Sequence, residues 1–148
     1  MVPPAAQNLE QALAQMAWEV LEGPFFLAGF RAAPTVEDLA SVGEGPGQVV
    51  REGGETTVLG PQSELPALLA RHPEAEVERD LVWIRFTAPM GWELVGFLAL
   101  VCGRLAEAGV PLGAVCGYSR DHLFVTRAQL EKTRSVLATL FPAATTKD

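Results

Sequence analysis

Apolar residues recur at helical spacing in three long stretches, and each stretch predicts a helix with one buried face. The first stretch spans 8–21, and its helix is predicted to begin after the candidate N-cap Asn8 and to end near Trp18. The strongest runs over 93–108, and the third follows Thr126. The three apolar stripes are Leu9, Leu13, Met16 and Val20; Leu94, Phe97, Leu98, Val101 and Leu105; and Leu130, Val136, Leu137, Leu140 and Phe141.

Short apolar runs bounded by turn residues predict strands between these helices. Two shorter helices are also predicted, one after Thr35, where the pattern is that of a capping box, and one after Ser63. A Gly-Gly pair inside 52–55 favours a tight hairpin, because glycine adopts positive φ without cost. The predicted strands are 25–30, 48–52, 56–59, 81–88, 110–117 and 122–126.

The order of these elements is similar in the two halves of the chain. Each half reads strand, helix, strand, turn, strand, helix, with a period of about 65–70 residues. The order βαββα with antiparallel pairing predicts an α+β, ferredoxin-like fold with the helices on one face of each sheet. We therefore predict a tandem duplication, with an N-terminal unit and its leading helix over 1–80 and a C-terminal unit over 81–148.

Composition narrows the function classes. The 148 residues are 49% hydrophobic and carry a net charge of −7, which disfavours binding to nucleic acid or to an anionic membrane surface. No apolar run approaches the ~20 residues of a membrane span, so we predict a soluble, cytoplasmic protein. Cys102 and Cys116 with His72 and His122 have no metal-site spacing, so we predict reduced thiols, no metal and no cofactor.

Three stretches resemble the ACT domain superfamily, and in particular a bacterial family of short proteins built from two ACT-like units. They are VVREGGETTVL (49–59), VWIRFTAPMGWELVGFLALVCGRLAEAGV (82–110) and CGYSRDHLFV (116–125), and the resemblance covers roughly 20–141. Arg120 stands where that family would have a histidine. The resemblance implies a regulatory protein that binds an amino acid or a similar small effector.

The resemblance also implies a place for the ligand, near the loop that joins the first strand of a unit to its first helix. In the C-terminal unit that loop contains Met90, Gly91, Trp92 and Glu93. Free N–H groups in the first turn of a helix favour a carboxylate, Trp92 could cover the ligand, and Glu93 could accept its ammonium group. The alternative is that these residues only pack against the edge of the sheet.

The stretch GYSRDHLFVT, 117–126, supplies the remaining candidate ligand-binding residues, namely Tyr118, Asp121 and His122. An alternative is a structural bend, in which Asp121 caps backbone N–H groups and His122 forms a hydrogen bond across the sheet. A third alternative is an enzyme in which Asp121 orients His122. Adjacent residues of a strand point to opposite faces, which argues against that pairing.

Small residues recur on another face of the strongest helix, at Gly96, Ala99 and Gly103. Small side chains allow a close approach, so we predict that this face meets the neighbouring unit or a second subunit. The leading hypothesis is a non-enzymatic regulatory protein that binds a small effector, has no nucleic-acid or membrane partner and forms a homo-oligomer. The alternative is an interaction or dimerisation module without a ligand.

Overall fold

The structure is a computed structural model that describes residues 4–141. The chain forms two compact units. The central unit is Gly23–Leu81, and the terminal unit combines Met1–Glu22 with Val82–Asp148. In chain order the elements are α1 (Leu9–Gln15), β1 (Trp18–Val20), β2 (Phe25–Phe30), α2 (Val36–Ala40), β3 (Gln48–Glu52), β4 (Glu55–Pro61), α3 (Leu65–Arg71), β5 (Glu76–Phe86), α4 (Phe97–Glu107), β6 (Gly113–Cys116), β7 (Asp121–Thr126) and α5 (Leu130–Leu140).

In the central unit the strands lie in the order β3, β4, β2 and the first half of β5, and all neighbouring pairs are antiparallel. β3 and β4 form the predicted hairpin, with Glu52 opposite Glu55 and Gly53 at φ 53°. α2 and α3 complete the order βαββα. Alternate residues of β2 pack with residues of β4 and α3 in one core, which contains Phe26, Ala28, Phe30, Val58, Leu65 and Leu68.

In the terminal unit the strands lie in the order β6, β7, the last residues of β5, and β1. β6 pairs antiparallel with β7, and β1 pairs antiparallel with β5. Alternate residues of β5 and β7 face the helices, as the period of two in a strand requires. The core includes Trp18, Val82, Ile84, Phe86, Val101, Leu105, Leu123, Val125 and Leu137.

The predicted fold class is confirmed. Each unit carries the order βαββα, with an antiparallel sheet and helices packed on the core face. The Thr35 capping box is also confirmed, because the Thr35 hydroxyl accepts from the Asp38 N–H and the Asp38 carboxylate accepts from the Thr35 N–H. Whether the two units are a tandem duplication stays a prediction.

The leading segment corrects two predictions. α1 begins after Asn8 as predicted but ends at Gln15, and the residues Trp18–Val20 form β1 instead of continuing a helix over 8–21. Val20 lies opposite Ile84 of β5, so pairing with a long buried strand outweighs the helical spacing. Ala12 and Met16 pack in the core of the terminal unit, so the leading helix does not belong with the rest of 1–80.

Further element boundaries differ from the predictions, among them those of β6, which spans Gly113–Cys116 rather than 110–117. β5 begins at Glu76 rather than 81, because residues before 81 pair with β2. α4 begins at Phe97 rather than 93, because Gly96 takes φ 98° and ends the preceding loop. Thr126 makes no side-chain cap, and a short 3-10 turn, Arg127–Gln129, precedes α5.

Candidate ligand-binding site

The predicted ligand loop follows β5 and is fixed on both sides by backbone hydrogen bonds. The Met90 N–H donates to the Ser119 carbonyl at 2.9 Å, and the Gly91 N–H donates to the Ala6 carbonyl at 2.8 Å. These two donors are therefore occupied. The N–H groups of Met90 and Gly91 are thus not available to a ligand.

The first turn of α4 supplies donors instead. Gly96 is its N-cap residue, and no side chain caps the helix. The first N–H groups of a helix have no partner within it, and the helix dipole makes them favourable for a negative charge. The helix starts four residues after Glu93, so Glu93 is not at the helix start as predicted, and its side chain is exposed.

The bend between β6 and β7 forms a second wall. It closes with a hydrogen bond from the Gly117 N–H to the Arg120 carbonyl at 2.9 Å. The Cys116 thiol donates to an Asp121 carboxylate oxygen at 3.4 Å, and this hydrogen bond, together with burial, raises the pKa of Cys116. The predicted capping of backbone N–H groups by Asp121 is absent among the hydrogen bonds of the described residues.

The loop, the bend and the first turn of α4 surround one cleft of about 230 Å³ within the terminal unit. Five of the predicted ligand-binding residues line it, whereas Glu93 and His122 do not. Trp92 and Tyr118 are 87% and 98% exposed, so they stand at the rim and do not cover the cleft. The lining residues are Met90, Gly91, Trp92, Leu94, Gly96, Phe97, Leu98, Ala99, Cys116, Gly117, Tyr118, Ser119, Arg120 and Asp121.

Some lining residues were not candidates from the sequence. Leu94 and Leu98 belonged to the predicted core stripe; they pack against that core, are partly buried and also line the cleft. Arg120 directly precedes the predicted Asp121, and Cys116 directly precedes the stretch GYSRDH. Both line the cleft at the bend between β6 and β7. The hydropathy pattern does not predict the positive φ of Gly96, which determines where α4 begins.

His122 lies elsewhere. Its ring meets the Trp83 ring edge-on, with 5.7 Å between centroids, and its Nδ1 atom has no hydrogen-bond partner within the described part of the chain. The predicted hydrogen bond across the sheet is therefore not formed by Nδ1. Burial lowers the pKa of His122, and the positive charge of Arg85 lowers it further. The ring is thus favoured in its neutral form.

The alternative of an acid/base pair has little geometric support. The Asp121 carboxylate accepts from the Cys116 thiol, and no hydrogen bond joins Asp121 to His122 among residues 4–141.

Over the same residues, no group of three or more His, Cys, Asp or Glu side chains could hold a metal ion. No helix in this part of the chain is both long and apolar enough to cross a bilayer.

The small-residue face is open. Ala99 and Gly103 are exposed, and Gly96 precedes the helix, so this face is not buried against the rest of the described chain. The predicted contact of this face with the neighbouring unit or a second subunit stays a prediction. Val95, 82% exposed, lies next to this face.

A polar cluster in the central unit was missed from the sequence. The Asp38 carboxylate is fully buried and accepts from Arg71 at 2.8 Å, from His72 Nε2 at 2.9 Å and from the Thr35 N–H at 2.8 Å. Burial alone would raise the pKa of Asp38, but the hydrogen bonds from Thr35, His72 and Arg71 outweigh it and lower the pKa to about 2. The His72 ring also stacks on Phe30. His72 thus contacts both Asp38 and Phe30.

Comparison with known proteins bears on the fold. No family model and no curated protein matches the sequence. A protein from Agobacterium tumefaciens is similar in structure, with a TM-score of 0.72 and 20% identity over 89% of this chain and 92% of that chain. A Vibrio cholerae protein of unknown function has a TM-score of 0.66 and 23% identity over 86% of this chain and 91% of that chain. The regulatory subunit of aspartate kinase from Thermus thermophilus has a TM-score of 0.62 and 12% identity over 84% of this chain and 96% of that chain.

These similarities show that the chain shares its fold with these proteins. Each similarity extends over most of both chains and is not confined to one unit. The sequence identities are low, and the similarity is one of fold.

Proposed function

We propose that the protein is a non-enzymatic regulatory protein of the ACT type that binds an amino acid or a similar small zwitterion in the cleft of the terminal unit. The observation that carries this proposal is the shared lining of the cleft. The uncapped first turn of α4 and the Asp121 carboxylate both line it. The first turn of α4 favours a negative group, and the Asp121 carboxylate favours a positive group.

The ligand's carboxylate would be bound by N–H groups of Phe97, Leu98 and Ala99 in that first turn. Its ammonium group would be bound by Asp121, in place of the Glu93 predicted from the sequence. The apolar side chains of Met90, Leu94 and Leu98 would contact the ligand's side chain. The volume of about 230 Å³ is below the ~300 Å³ at which drug-sized pockets begin, which suits a single amino acid.

The similar structures support a regulatory role. The neighbour from Thermus thermophilus is a regulatory subunit, and the similarity in fold covers 96% of that subunit and 84% of this chain. By analogy, binding of an effector would change how this protein associates with itself or with another protein. This analogy is one of fold, and the cleft supplies the chemical argument.

A thermal-shift screen against the twenty amino acids tests the proposal. A ligand that binds only the folded state raises Tm, and at 100 times Kd it adds about 2.7 kcal/mol to the free energy of unfolding. We expect at least one amino acid with an apolar side chain to raise Tm at millimolar concentration. No rise with any amino acid would contradict the proposal.

Two variants decide which acid binds the ammonium group. Asp121→Asn is expected to abolish the rise in Tm, whereas Glu93→Gln, which neutralises an exposed acid outside the cleft lining, is expected to retain it. The opposite result would return the role to Glu93. Equal loss in both variants would show that general charge, and not a specific contact, governs binding.

A second candidate function is self-association through exposed apolar residues at and near the cleft. Trp92, Val95 and Tyr118 are large apolar residues that the described chain leaves almost wholly exposed, and Ala99 and Gly103 of the predicted interface are exposed as well. Exposed apolar clusters mark interaction sites. Light scattering of wild type and Trp92→Ser tests this candidate, with Val36→Ser of α2, also exposed, as the matched control. A monomer at every concentration would exclude it.

A further inference from the structure

The N-terminal segment Ala5–Gln7 lies directly against the ligand loop. The Ala6 N–H donates to the Pro89 carbonyl at 3.0 Å, and the Ala6 carbonyl accepts from the Gly91 N–H at 2.8 Å. Ala6 and Met90 thus form a parallel β-bridge, and Ala6 is buried in the core of the terminal unit. A residue more than eighty positions away in sequence therefore fixes the backbone of the loop.

Side chains extend this contact to two glycines that line the cleft. A Cβ atom at Gly91 would lie 3.1 Å from Gln7 Oε1 and 3.3 Å from the Ala6 carbonyl oxygen, so a side chain at this position would press against the segment. A Cβ atom at Gly96 would lie 3.6 Å from Leu9. The segment and the start of α1 thus contact the loop at Gly91 and the N-cap of α4 at Gly96.

The segment is itself well fixed. The Gln7 side-chain amide donates to the Ala5 carbonyl at 2.8 Å, and the Gln7 N–H donates to Gln11 Oε1 at 3.0 Å. On its other side the loop is bound only through the Met90 N–H and the Ser119 carbonyl among the backbone bonds of the described residues. Release of the segment would leave the loop held on one side.

We propose that Ala5–Gln7 is a positioning strand for the ligand loop, and that ligand binding in the cleft is coupled to its docking on Gly91. This inference rests on the proposed function. The strand acts through Met90 and Gly91 and does not touch the ligand. Coupling of this kind is reciprocal, so a bound ligand also holds the strand in place.

The first experiment needs no ligand. Amide exchange at Gly91 is measured by NMR in the full chain for wild type and Ala6→Asp, which places a charge at a buried position and releases the strand. Ala128→Asp adds the same charge at an exposed position of the same unit and is the matched control. We expect exchange at Gly91 to be about tenfold faster or more in Ala6→Asp only, because two backbone hydrogen bonds are lost. Unchanged exchange would overturn the proposal.

The second experiment measures Kd for the amino acid that raises Tm most in wild type. Ala6→Asp is expected to weaken binding about tenfold, and the ligand is expected to slow exchange of the Ala6 amide in wild type. Equal affinity in Ala6→Asp and wild type would overturn the proposal and leave the proposed function standing. If wild type binds no amino acid, the proposed function fails and this inference fails with it, whatever the exchange at Gly91.

A milder variant covers the case in which Ala6→Asp does not fold. Gly91→Ala presses a methyl group against Gln7 and Ala6, whereas Gly45→Ala puts the same group into open space at ordinary φ. Faster exchange of the Ala6 amide in Gly91→Ala, but not in Gly45→Ala, is the expected result. No difference between the two variants would overturn the proposal.

Discussion

The buried Asp38 carboxylate makes a sharp prediction about stability. Its hydrogen bonds to Thr35 and Arg71 and its contact with His72 join α2 to the end of α3 in the central unit. Asp38→Asn removes the charge and leaves Arg71 and His72 without their carboxylate. Breaking a buried ion pair from one side costs about 3 kcal/mol or more, so we expect a fall of about 3 kcal/mol in the free energy of unfolding at pH 7.

The pKa of Asp38 gives the pH dependence. The folded-state pKa of about 2 lies below the ordinary value of 3.8, so ionised Asp38 stabilises the fold by about 2 kcal/mol above pH 4. That contribution is lost as the pH falls from about 4 to about 2. Asp38→Asn lacks it, so the gap in stability between wild type and variant should narrow by about 2 kcal/mol over this range.

Urea unfolding followed by circular dichroism between pH 7 and pH 2 measures both effects. Glu74→Gln, at an exposed acid of the same unit, is the control and should track wild type. Equal stability of Asp38→Asn and wild type at pH 7 would refute the reasoning. Parallel pH profiles for the two proteins would refute the assignment of the low pKa to Asp38.

Three further predictions concern the terminal unit. Gly113→Ala should lower the free energy of unfolding by about 1–3 kcal/mol in a urea titration, because its Cβ atom would overlap the Phe124 ring; a neutral effect would show that the ring moves freely. Alkylation of Cys116, followed by mass spectrometry of its peptide, should need a higher pH than an ordinary thiol, and Asp121→Asn should lower that pH; no change in the variant would exclude Asp121 as the cause. Trp92→Ala should leave the urea midpoint within about 0.5 kcal/mol of wild type, because the side chain is exposed, and a larger loss would mean that the ring packs on the fold.

Local rules predicted the parts of the fold that local interactions determine. The Thr35 capping box lies within four residues, the Gly53 turn needs a positive φ, and β2 is a short aromatic run between turn residues. Each signal is complete within a few positions of the chain. These elements formed where the sequence placed them.

The misplaced elements depend on distant partners. Val20 fits a helical stripe as well as a strand, and only pairing with Ile84 decides for the strand. Asp38 is 33 positions from Arg71, and no pattern in the sequence joins them.

The candidate site was predicted in outline only. GYSRDH and the Met90–Glu93 loop were selected as separate candidates, and the structure brings most of their residues to one cleft. The occupied N–H of Gly91 depends on Ala6, which is not near it in sequence.

An NMR titration of the ¹⁵N-labelled chain with the twenty amino acids tests the central claim most directly. We expect one amino acid to shift the amides of 96–99 and 117–121 together, in a saturable way, with the central unit unchanged. Shifts confined to the central unit, or no saturable shift with any amino acid, would contradict a ligand site at the start of α4.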